Sequence, residues 1–109
     1  MILKDLAERL SLTPLVVSND ERDVSGLYIG DLLSWVMGRA QSGDAWITIM
    51  SNINVIAVAS LSDVAFVLLA EGVTLSEDLL ATAREKEINI YSSTKNSYEL
   101  AVEISNVLK

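Results

Sequence analysis

Residues Val64 to Ala70 form an unbroken apolar run held between Asp63 and Glu71. A segment with no polar face suits a strand covered on both sides, at the centre of a parallel sheet. Ala45–Met50 reads as a strand before it, with Trp46, Ile47, Thr48 and Ile49 β-branched or aromatic, and Ile88–Tyr91 as a short strand after it. Thr74-Leu-Ser-Glu77 reads as a capping box opening a helix that runs to about Glu87, with Leu79, Leu80 and Ala83 as its buried stripe. Ser92-Ser93-Thr94 leads into a last helix whose apolar face is Leu100, Ala101, Ile104, Val107 and Leu108. Strands alternating with helices imply a mostly parallel sheet with right-handed crossovers.

Asn52–Leu61 must be settled for that order to hold. Val55, Ile56 and Val58 favour strand, whereas Asn52 is a helix cap and Ala57 and Ala59 suit a helix. Parallel neighbours need a crossover, and this segment is the candidate for it, so it reads as a buried helix. The alternative is a hairpin turning at Ser51-Asn52. Towards the N-terminus, Ile2, Leu3, Leu6 and Leu10 mark a short helix, and Leu15–Val17 a strand that begins at Pro14 or lies at an edge. Asn19–Asp23 is a polar turn. Val24–Ile29 is extended and meets a helix at Gly26-Leu-Tyr-Ile-Gly30-Asp31, where Asp31 is expected to cap and Leu32, Leu33, Val36, Met37 and Ala40 to form the core stripe. Gly43 is the expected stop. The whole reads as one α/β domain over residues 1–109: three layers, a mostly parallel sheet of about four to five strands, helices on both faces.

The chain has neither cysteine nor histidine. Disulfides, Cys/His zinc sites and Ser-His-Asp or Cys-His catalysis are therefore excluded. Its net charge is −7 and its Lys and Arg are scattered singly, so neither nucleic acid nor an anionic membrane is an expected partner. Lys4, Asp5, Glu8 and Arg9 interrupt the N-terminal apolar residues, which reads as an amphipathic helix and not a signal peptide; a cytoplasmic protein is expected. Gly30-Asp31 lacks the Gly-Lys-Ser/Thr of a phosphate loop, and Asn19, Asp20, Glu21 and Asp23 are followed by Val24 and Gly30 where a calcium loop needs Gly and Glu. No metal site and no cofactor are expected.

In parallel sheets ligands bind beyond the carboxyl ends of the strands. Those ends carry Asn52 and Asn54, then Glu71 and Gly72, then Ser92, Ser93 and Thr94, which together form the candidate ligand rim. The same residues are ordinary helix caps, and Glu71 is an ordinary turn carboxylate with no acid or nucleophile placed beside it. Trp35 lies roughly 130° from the centre of its helix's apolar stripe at 100° per residue, which makes it the candidate interface residue.

The element order, the junction Gly26-Leu-Tyr-Ile-Gly-Asp-Leu-Leu-Ser-Trp-Val-Met, the strand end Leu-Ala-Glu71-Gly72 and the turn Ser-Ser-Thr94 resemble the DRTGG domain over nearly the whole chain. That domain is similar to the N-terminal domain of HPr kinase/phosphorylase and, in fold, to the N-terminal domains of the Mur ligases. Ser51 and Asn52 stand where the namesake Asp-Arg pair falls, and Glu71-Gly72 where many members have Thr-Gly. These departures imply the short stand-alone bacterial branch of the family. The P-loop kinase domain is missing, so the resemblance implies no kinase activity. It implies a regulatory or dimerisation module.

The expected function is thus a non-enzymatic cytoplasmic regulatory or ligand-sensing module. It self-associates as a homodimer and takes a small phosphorylated or nucleotide-type ligand at the strand ends. The alternative is a protein-interaction subunit without a small ligand, and a third reading is an enzyme using Glu71.

Overall fold

The computed structural model describes residues 1–108. In chain order the elements are α1 (Leu3–Arg9), β1 (Thr13–Val16), β2 (Gly26–Ile29), α2 (Leu33–Arg39), β3 (Asp44–Thr48), α3 (Ile53–Ser62), β4 (Phe66–Leu69), α4 (Glu77–Glu85), β5 (Ile90–Ser92) and α5 (Ser97–Leu108). The five strands form one sheet in the order β1-β5-β4-β3-β2. All neighbours are parallel except β1, which runs antiparallel to β5.

From β2 to β5 the chain advances one strand at a time in one direction, so crossovers of one hand place α2, α3 and α4 on the same face. There Val36, Val55, Ile56 and Leu80 pack on Trp46, Val67, Leu69 and Ile90. The terminal helices α1 and α5 cover the other face, packing Leu3, Leu6, Leu100 and Ile104 on Ala45, Ile47, Phe66, Leu68 and Tyr91. Consecutive strand residues alternate between the two cores, as a pleated strand requires. Because both sides are covered, all of β3 and β4 is buried, which is why the run around Val67 has no polar face. The Phe66 and Tyr91 rings meet edge to face, with centroids 5.7 Å apart.

Residues 52–61 are helical, and Asn52 caps α3 by accepting from the Asn54 N–H at 2.9 Å. The crossover requirement overrode the strand propensity of Val55, Ile56 and Val58. Three local expectations are corrected. Asp31 does not cap α2: the helix begins two residues later, at Leu33, with no side-chain cap. The Asp31 carboxylate instead holds the end of β3, accepting from the Thr48 hydroxyl at 2.7 Å and the Ile49 N–H at 2.9 Å. Gly43 does not stop α2, which ends at Arg39; its φ of +86° turns the chain into β3. The Thr74–Glu77 box does not form either. Ser76 is the cap, accepting from Leu79 N–H, because Leu75 before it and Leu80 after it are both buried in one core and staple the entry there. Leu32 and Met37 also lie outside the core, and in α2 only Val36 is fully buried.

Candidate functional site

The parallel register of β3, β4 and β5 brings the carboxyl ends of these strands to one edge. The turns after β4 and β5 are laced together. Glu71 N–H donates to the Lys95 carbonyl and Gly72 N–H to the Ser93 carbonyl, both at 2.9 Å. Ser93 N–H in turn donates to Leu69, and Ala70 N–H to Thr48. Glu71, Gly72, Ser93 and the adjoining Ser92 and Thr94 therefore form one polar corner, with Glu71 and Gly72 in the left-handed region at φ 60° and 74°. Asn52 and Asn54 stand beyond β3, farther along the same edge, and bond to each other.

Three of the helix starts along this edge are closed by side chains, whereas α2 has no side-chain cap. Asn52 serves α3 and Ser76 serves α4. In α5 the closure is reciprocal: Glu99 N–H donates to Asn96 Oδ1 at 2.9 Å, and Asn96 N–H to Glu99 Oε1 at 3.4 Å. Asn96-x-x-Glu99 is the sequence signature of this capping box, two residues beyond the Ser92-Ser93-Thr94 turn. Each cap takes up an amide that an anion at a helix start would need.

Two further residues belong to the edge. Asp31 is fastened to β3 as described, and the Trp46 indole N–H donates to the Gly30 carbonyl at 2.9 Å from a fully buried ring. The Gly30-Asp31 junction is thus bolted to β3 by Trp46 and Thr48. Lys95, whose carbonyl receives the Glu71 N–H, has its ammonium paired with Glu103 of α5 at 2.6 Å. Over β2 and β3 the character changes: Ile29, Leu32, Ile49 and Ile53 are each roughly half exposed. The edge is apolar at one end and polar at the other. On the outer side of α2 Trp35 is 52% exposed, with the Arg39 guanidinium carbon 3.7 Å from its ring centroid.

At the opposite end of the strands lies a cavity of about 410 Å³ bordered by Ser18, Arg22, Asp63, Lys86 and Asn89. Its principal polar groups are already matched. Asn89 accepts from Ser18 and Asn19 N–H and donates to the Asn19 and Ala65 carbonyls. Arg22 binds the Asp63 carboxylate and carbonyl. The Ser42 hydroxyl and Arg22 hold the Asp63 carboxyl below its ordinary range. This end is a clamp between loops and leaves few groups for a ligand.

Among the described residues no group of three or more carboxylates is placed to hold a metal ion, and no helix is long and apolar enough to cross a membrane.

No protein-family model matches the sequence, and no curated protein sequence matches it. Its fold is similar to the crystal structure of the CBS and DRTGG domains of the regulatory region of Clostridium perfringens pyrophosphatase, complexed with the activator diadenosine tetraphosphate. The TM-score is 0.72 at 14% identity, and the match covers 94% of this chain and 45% of that one, so this chain spans less than half of its structural neighbour.

Proposed function

We propose that this chain is a non-enzymatic, DRTGG-like regulatory domain of a bacterial cytoplasm that senses a small ligand at the carboxyl edge of its sheet and works as a homodimer. The two-part edge carries the reading. Ile29, Leu32, Ile49 and Ile53 offer an apolar surface beside the polar corner of Glu71, Gly72, Ser92, Ser93, Thr94 and Lys95. A nucleotide-type ligand has the same division: a flat base for the apolar end, polar sugar and phosphate groups for the other. Asn52 and Asn54 lie beyond β3, on the way between them. The fold's likeness to a regulatory region crystallised with a nucleotide activator supports this reading. Kinship with the HPr kinase N-terminal domain belongs to the same proposal.

Thermal unfolding against adenine nucleotides, diadenosine tetraphosphate and inorganic phosphate tests it. A ligand at 100 times its dissociation constant adds ~2.7 kcal/mol, which raises the midpoint by roughly 10 °C or more in a domain this size. Ile49→Glu and Ile53→Glu, at exposed positions, should remove that shift and keep the fold. Unchanged midpoints with every nucleotide at millimolar concentration would refute ligand sensing.

A second reading, a protein-interaction subunit without a small ligand, is favoured by the half-exposed Trp35. It requires Trp35→Ala to abolish partner binding at unchanged stability.

A further inference from the structure

β2 closes one side of the sheet and, among the described residues, pairs only with β3, so the outward backbone groups of Gly26–Ile29 have no strand partner there. Edge strands are usually blunted by a lysine, a proline or a bulge. Val24–Gly30 contains no charged residue and no proline, and β2 runs in step with β3 throughout. Alongside the strand runs a mostly apolar groove of about 420 Å³, bordered by Leu27 and by Tyr98, Ala101, Val102, Ser105 and Asn106 of α5. Tyr98 is 77% and Val102 42% exposed. With Ser105 they form an uncharged stripe at helical spacing, separate from the Leu100 and Ile104 stripe that faces the core.

We infer that this edge is the docking surface for a second copy of the chain. β2 pairs antiparallel with its counterpart about a two-fold axis, the two sheets become one, and the Leu27–Tyr98–Val102 groove of each copy is covered. The inference rests on the self-associating part of the proposed function and names its surface.

Charge selects the occupant. At −7, two copies repel unless they meet through uncharged surface, and the edge with its α5 stripe is such a surface. A basic partner would be drawn to the acidic faces instead. Under a two-fold axis the strand is its own complement, because each outward N–H meets a C=O of an identical strand. The patch is about as long as α5, ~18 Å, and only as wide as one strand and one helix stripe, which makes it small. A standard stable interface uses ~800 Å² per partner, so the dimer is reversible and dissociates on dilution.

Sedimentation equilibrium of the full chain from micromolar to millimolar concentration tests this. The wild type should dimerise, and Tyr98→Glu with Val102→Glu should weaken the dimer at least 100-fold. Trp35→Ala, and Leu61→Glu on the exposed side of α3, should leave it unchanged. If the double variant loses its circular-dichroism melt, Ile29→Lys at the strand end supplies the same measurement. A wild type that stays monomeric throughout overturns both this inference and the self-associating reading. A wild-type dimer that survives the α5 and β2 substitutions, or breaks with Trp35→Ala, overturns the edge assignment alone.

Discussion

At one side of the sheet β1 runs against β5, carries Pro14 opposite Tyr91 and slips register between Pro14 and Val16. Its exit is held by Asn89, which ties Ser18 and Asn19 to the start of β5. At the other side β2 runs with β3 in unbroken register, with neither proline nor charge, and has an exposed tyrosine and valine beside it. The first edge is interrupted by a proline and a register slip, which resist further pairing. The second leaves its outward backbone groups available. Both borders close the same sheet, so the contrast reflects local side-chain chemistry, and it teaches where the molecule is finished and where it is open to another chain.

The contrast is broken most severely at the closed edge. Asn89→Ala would strand two buried-side N–H groups and the Ala65 carbonyl, and should cost roughly 2–4 kcal/mol in urea denaturation. At the open side Thr48→Val removes the hydroxyl that donates to Asp31 and accepts from Met50 N–H. We expect a loss of about 1–2 kcal/mol, with faster hydrogen exchange confined to the Gly30–Leu32 junction. Pro14→Ala restores an N–H to the closed edge. Its effect on stability should stay within ~1 kcal/mol, and the informative measurement is association: if Pro14 blunts β1, the variant gains concentration-dependent aggregation.

The smallest effect is electrostatic. Asp63 has a folded pKa below its unfolded value, so its contribution is present above the unfolded value, near pH 4, and is lost as pH falls through the folded one. Its carboxylate is largely exposed, so the slope in acid is shallow. Asp63→Asn should flatten stability below pH 4 and leave neutral-pH dimerisation untouched.

Much of the fold was legible because burial on two sides leaves a plain mark. The apolar run at Val64–Ala70 suits a central strand, and the crossover that parallel neighbours need favours α3 over a hairpin despite its β-branched residues. The candidate rim was legible to the extent that strand ends can be counted. What escaped were local polar bonds with more than one available partner. Asp31 suits a helix cap, yet the end of β3 offers it a hydroxyl and an amide together, and it takes those. Ser76 outcompetes Thr74 as a cap because Leu75 and Leu80 are pulled into one core. The spacing of α2 places Trp35 off the buried face, and Arg39 one turn later stacks on its ring, a pairing visible in the sequence only as an i, i+4 match.

The sequence by itself determined a parallel α/β domain, the order of its central elements and the absence of cysteine and histidine chemistry. Hydrophobic periodicity and residue type act locally and need no partner. Tertiary structure alone decided that β1 pairs antiparallel on the far side of β5 and that β2 is the bare edge. It also decided that the carboxyl rim divides into apolar and polar ends. These depend on which segments, distant in the chain, are brought side by side when both faces of one sheet must be covered at once.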